Sequence, residues 1–289
     1  HAAAEWLAGA TGAKLGYLVD SANAVGGHIA GATSKNAASL FSSPKKAYVL
    51  LHAEPELDAA NPQEAVAALN GAEMVVAMSA FRHGLDYADV LLPIAPFSET
   101  AGTFVNCEGR AQSFNGTVKP VGDARPAWKV LRVLGNLLGL SGFDYDTSEA
   151  IRDEVLGKGN MDVSSKLSNS AGAIAPTAAA FEKEAGIQRI ADVPIYFADA
   201  IARRSPPLLR TADAQAPLVH LPTALAATLG VNNGDFVTVK QGSGSATLAA
   251  NIDAGLPHNT VRVADSHPST AMLGAMFGPI EVIKAGEGK

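Results

Sequence analysis

The chain has very little cysteine. One thiol, Cys107, stands in 289 residues, so an internal disulfide, a CxxC redox pair and a four-cysteine cluster site are all excluded. The absence of disulfide stapling leans toward a cytosolic setting. Long apolar runs are missing too, and nothing approaches the ~20 residues of a membrane-spanning helix. Charge is sparse at 17% and leans acidic, with 22 basic and 28 acidic residues for a net −6. That balance argues against a nucleic-acid-binding surface. There is no starting Met and no signal-peptide pattern at His1-Ala2-Ala3-Ala4-Glu5. The expectation is a piece cut from a longer chain.

Several familiar catalytic spacings are also lacking. The chain has no P-loop, no GxGxxG, no HExxH and no GxSxG elbow. The seven histidines are dispersed. His258 and His267 lie near each other in sequence around a barrel strand and, as turn histidines, read as solvated rather than metal-bound. Gly242-Ser243-Gly244 reads as a hairpin turn.

What is present is strand–helix alternation. Leu15–Val19, Lys46–Leu51, Glu73–Met78 and Ala88–Pro93 are short apolar runs bounded by turn residues. They read as buried strands of a parallel sheet covered on both faces. Asn61-Pro62-Gln63-Glu64 is a helix start, with Asn61 as cap, Pro62 at the first position and Gly71 as the stop. Trp128, Leu131, Leu134 and Leu138 share a helix face. Ser148 is expected to cap a helix over 149–156. The stretch from Gly157 to about Ala175 is rich in Ser, Gly and Asn and reads as irregular. From Leu208 onward, short strands at regular spacing with glycine turns suggest a small β-barrel.

Loops at the strand ends are the ordinary ligand positions of α/β folds. They nominate Asn23, Gly26 and Gly27 after the first strand, His52 and Glu54 after the second, and Ser79 and Arg82 after the third. No catalytic residue and no metal ligand stands out. Glu99 and Glu108 are expected to make hydrogen bonds or salt bridges. Cys107 is expected to be a buried, inert thiol.

The stretch Ala88–Gln112 is more specific. ADVLLP, followed by Glu99-Thr100-Ala101-Gly102-Thr103-Phe104-Val105-Asn106-Cys107-Glu108-Gly109-Arg110-Ala111-Gln112, resembles the molybdopterin oxidoreductase superfamily. The barrel portion from Leu225 is similar to that superfamily's C-terminal double-psi barrel. Within the superfamily, the wording from Ser98 to Gly139 is most similar to the large peripheral-arm subunits of bacterial NADH:quinone oxidoreductase, the respiratory complex I.

The resemblance implies an α/β, parallel-sheet domain of molybdopterin-oxidoreductase type over 1–145. An irregular connecting segment over 146–205 and a barrel over 206–289 would follow. It implies a scaffold role beside other peripheral-arm subunits of complex I. The assembly would be cytoplasmic and peripheral on the inner membrane, with no nucleic acid partner and no direct membrane span. No cofactor is expected in this piece, while the parent chain would carry [2Fe-2S] and [4Fe-4S] clusters outside it. Active members commonly carry Gly-x-Asn-Pro in one pocket loop, where this chain has His52-Ala53-Glu54-Pro55. They carry an Asp at a second strand end, where this chain has Ser79. The alternative is a catalytic fragment of a molybdopterin-dependent oxidoreductase that binds a pterin dinucleotide.

Overall fold

The computed structural model describes residues 1–33, 35–170 and 186–286. Residues 171–175 of the expected irregular segment, and 182–185 before the barrel, lie outside the described residues. Eleven strands follow in chain order among the described residues: β1 (Ala47–Leu51), β2 (Met74–Ser79), β3 (Val90–Pro93), β4 (Gly102–Val105), β5 (Ala111–Phe114), β6 (Ile187–Ile190), β7 (Val219–Leu221), β8 (Phe236–Gln241), β9 (Gly244–Ile252), β10 (Thr260–Arg262) and β11 (Gly278–Lys284). The chain divides into two compact units. One comprises 1–35 and 93–181, the other 36–92 and 182–289.

The first unit is built on the hairpin of β4 and β5, paired antiparallel from Gly102↔Phe114 to Val105↔Ala111. Val105, Ala111, Leu156 and Val163 form its core, with Val25, Ile29 and Val155 packed against them. The hairpin turn explains why its sequence is so particular. Asn106 accepts hydrogen bonds on its side-chain oxygen from the backbone N–H of Glu108 (3.1 Å) and of Arg110 (2.9 Å). Gly109 follows at φ +85°, and a Cβ there would meet Ser164 N at 2.5 Å. Only glycine fits a left-handed position with backbone pressed against it. The 161–163 segment bonds to both sides of this glycine, through Val163 N–H to Gly109 O and Ala111 N–H to Met161 O.

Cys107 sits at the tip of this turn and is exposed, not buried as its apolar character suggested. A tip residue between Asn106 and Glu108 has no core to enter. Glu99 accepts from the Val121 N–H at 3.2 Å, while Glu108 is exposed. The Ser148–Leu156 helix is capped one residue earlier than expected, by Thr147, which accepts from Ala150 N–H.

The second unit carries a three-stranded sheet in the order β1–β2–β3. β1 and β2 pair in parallel, Ala47↔Met74 through Leu51↔Met78. Tyr48, Leu50 and Val75 point to one face and pack with Ala68 and Leu69 of the Pro62–Asn70 helix. That helix starts as its sequence dictates, with the Asn61 side chain accepting from Glu64 N–H.

Three expectations about the sheet fail. Val49, Leu51 and Met74 on the opposite face are exposed while Met78 there is buried, so that face is covered only in part. β3 is an edge strand rather than a buried one, which is why Val90 is exposed and Leu91 and Leu92 are only half-buried. Leu15–Val19 is not a strand at all, and Leu18 is 96% exposed. An apolar run becomes a strand only where a neighbour offers its hydrogen bonds.

The same unit contains a closed six-stranded barrel in the order β10–β6–β11–β8–β9–β7. Alternating residues fill it, including Val219, Leu221, Val237, Val239, Leu248, Val261 and Val282. Gly242, at φ +58°, turns β8 into β9 over two residues. The barrel starts before residue 206, because β6 supplies one stave and pairs with β10 and β11. Arg189 of β6 plugs one end. It is fully buried, pairs with Asp265 at 3.2 Å, and donates to Gln241 Oε1 and to the carbonyls of Val263, Ala264, Gly274 and Ala275.

Candidate functional site

The nominated residues fall into two groups. Asn23, Gly26 and Gly27 lie in the first unit, where they line a cavity of about 270 Å³ with Trp128, Ile151 and Val155. Asn23 is tied into the architecture there. Its side-chain oxygen accepts from Val105 N–H at 2.9 Å, fixing β4. A Cβ on Gly26 would meet that same oxygen at 2.0 Å. Gly26 is therefore glycine for the sake of Asn23. Gly27 has open space beside it.

His52, Glu54 and Ser79 come together at the C-terminal ends of β1 and β2 in the second unit. His52 N–H continues the ladder to Met78 O at 2.9 Å. The residue then takes φ +52°, one of two non-glycine residues in the left-handed region among those described. The backbone keeps a shape that glycine adopts freely, although a histidine stands in it.

Glu54 follows and is buried, its side chain only 2% exposed. One oxygen lies 2.7 Å from Arg204 Nη2 and the other 3.2 Å from Arg203 Nη2. Arg203 also meets Asp58 at 2.8 Å. Ser79 is buried, and its hydroxyl oxygen accepts from the Phe81 N–H at 3.0 Å. Arg82 points outward and is exposed.

Around this cluster the structure adds residues that the sequence did not single out. Arg203 and Arg204 come from a 3₁₀ turn, Ala202–Arg204, some 150 residues downstream. Arg204 lies over the Phe81 ring, 4.4 Å from its centroid. His83 sits between two glutamates, Nε2 3.9 Å from Glu54 and Nδ1 3.8 Å from Glu56. Its side chain is only 8% exposed, and neither ring nitrogen makes a hydrogen bond. Tyr87 donates to Glu56 at 2.7 Å, and burial together with that carboxylate pushes its phenol far up from its usual range. The one signal available in sequence was an adjacent arginine pair in a chain poor in charge.

His267 Nδ1 lies 2.7 Å from Ser269 Oγ, and its ring packs on Phe197. Among the described residues no group of three metal-ligating side chains converges. No helix among them is long and apolar enough to cross a membrane.

A parallel sheet with a Gly109 hairpin, and a closed barrel following in sequence, define a class. Residues 6–137 match the molybdopterin oxidoreductase family model. A solved structure, acetylene hydratase from Pelobacter acetylenicus, matches over 86% of this chain and 46% of its own, with a TM-score of 0.59 and 17% identity. That likeness concerns the fold alone.

The curated relatives are more particular. The G subunit of NADH-quinone oxidoreductase from Mycobacterium tuberculosis (strain CDC 1551 / Oshkosh) is 30% identical over 199 residues, 68% of this chain. A chain provisionally named as a formate dehydrogenase, from Staphylococcus aureus (strain USA300), is 42% identical over 69 residues, 24% of this chain. This chain spans 24% of the length of the first relative and 7% of the second.

Proposed function

We propose that this chain is a structural portion of the large peripheral-arm subunit of an NADH:quinone oxidoreductase. It would support neighbouring subunits of that assembly on the cytoplasmic face of the membrane. Electrons would pass from NADH to quinone through iron–sulfur clusters carried elsewhere in the parent chain. The observation that carries this reading is the state of the strand-end loops. Glu54 is paired by two arginines, and the Ser79 hydroxyl is taken up by its own turn. These residues do not fit the pyrophosphate of a pterin dinucleotide, because a buried carboxylate already takes up the two arginines and would repel a second anion. The similarity to the mycobacterial oxidoreductase chain, over 68% of this one, supports the same reading.

The experiment is substitution in the full-length subunit within its assembled complex. Arg189→Ala should abolish assembly and NADH:quinone activity together. Ser79→Ala and His52→Ala should leave the activity per assembled complex unchanged. An assembled Ser79→Ala complex without activity would contradict the scaffold role.

A second reading is a catalytic fragment of a molybdopterin-dependent oxidoreductase. The glycine-like φ of His52 favours it, since the pocket turn has kept its backbone shape. Molybdenum and pterin in the purified full-length protein would establish that alternative.

A further inference from the structure

We infer that the ends of β1 and β2 form an anion site that the chain fills with its own Glu54 carboxylate. A phosphate or pyrophosphate group takes that place when the carboxylate is removed. The inference rests on the scaffold reading, in which no pterin dinucleotide binds here.

Three observations carry it. First, both guanidinium groups are held by bonds that do not involve Glu54. Arg203 Nη1 donates to Phe197 O at 2.8 Å, and Arg204 Nη1 donates to Ala200 O at 2.9 Å. The Phe81 ring fixes the face of Arg204 as well. Two arginines are therefore anchored apart from Glu54, and their Nη2 atoms both face the Glu54 position, that of Arg203 shared with Asp58. Planar guanidinium forks are the side chains best matched to phosphate oxygens.

Second, His83 is left over. Both of its ring nitrogens are buried without a hydrogen bond, and Glu54 lies 3.9 Å away. A carboxylate with two oxygens, both directed at arginines, does not reach it. A tetrahedral anion has further oxygens to offer. Third, the site lies at the carboxyl ends of parallel strands, where open α/β sheets bind ligands. Of the four side chains there, Arg204 reaches the surface, at 33% exposure, while Glu54, Arg203 and His83 are buried.

Two other carboxylates border the site and set its limits. Glu56 accepts from Tyr87 OH, and Asp58 accepts from Glu54 N–H and pairs with Arg203. They favour one phosphoryl group over a longer polyanion.

The test uses thermal unfolding of the full chain in sodium phosphate and in sodium chloride at matched ionic strength, with inorganic pyrophosphate as a further arm. In chloride, Glu54→Ala should unfold several degrees below the unsubstituted chain. In phosphate it should regain most of that loss, while the unsubstituted chain shifts no more than it does in chloride. The double variant Glu54→Ala/Arg204→Leu should regain nothing. Should Glu54→Ala fail to fold in chloride, it should refold in phosphate. Glu54→Ala should broaden the phosphorus resonance of added phosphate, whereas Glu54→Gln, whose amide still fills the place, should not. Equal phosphate shifts in all variants, or Glu54→Ala without any phosphate response, would overturn the inference. Molybdenum in the unsubstituted protein would instead overturn the scaffold reading, so the two failures are distinguishable.

Discussion

Two buried ion pairs lie within the second unit, and they are satisfied to different degrees. At the barrel end, Arg189 meets Asp265, Gln241 and four carbonyls. Its donors are nearly all used, and the strands β6, β8 and the loop after β10 depend on it together. At the sheet end, Glu54 lies at ion-pair distance from Arg203 and Arg204, but both His83 nitrogens, Glu54 Oε1 and Arg203 Nε make no hydrogen bond. A saturated buried network reads as architecture, because each member holds another in place. An unsaturated one at a sheet's carboxyl end reads as a former ligand position whose polar partners have changed.

The largest expected effect separates the two pairs by burial. Arg189→Ala leaves Asp265 buried and unpaired, and should cost about 3–5 kcal/mol in urea unfolding. Arg204→Ala, at a third exposure with solvent able to screen it, should cost about 0–1 kcal/mol. Equal losses would erase the contrast. Next in size is Ser79→Ala, expected at about 1 kcal/mol for one lost turn hydrogen bond.

His83→Leu should go the other way. It replaces two unsatisfied polar atoms with apolar ones, so stability should hold or rise by up to ~1 kcal/mol. A loss above that range would mean His83 is bonded after all, and that the sheet end is as complete as the barrel end.

The smallest effect concerns pH. Burial, and then the Arg262 charge, pull the His220 imidazolium below its ordinary range. Burial does the same to His267. For each, the unfolded chain binds the proton more readily than the folded one. Stability should therefore be full above about pH 6.5 and fall as the pH drops below that value. Melting temperature measured from pH 7.5 to 5 checks this. The slope should flatten in His220→Gln.

Much of the fold was legible because its causes are local. Asn61 and Pro62 start a helix by capping chemistry alone, and Gly242 turns a hairpin by its own φ. The Glu108-Gly109-Arg110 signature was legible for a related reason: the turn admits only glycine where Ser164 presses on it. Other features depend on distant partners. β6 is a strand because β10 and β11 flank it, more than 65 residues downstream in sequence. Leu15–Val19 has the apolar pattern of a strand and no partner strand, so it is not one.

The candidate site divides the same way. Glu54 and Ser79 were found from strand ends, which sequence marks well. Arg203 and Arg204 decide what Glu54 can do, and no spacing in the chain links them to it. Asn23 and Gly26 were nominated as ligand residues, yet Gly26 makes room for the Asn23 side chain, which fixes β4.

The central claim is that the arginine pair at the sheet end holds the chain's own carboxylate rather than a cofactor. Molybdenum and pterin determination on the purified full-length protein tests it most directly. The account predicts iron with neither molybdenum nor tungsten, and no extractable pterin. One molybdenum or tungsten per chain, released together with a pterin, would contradict it.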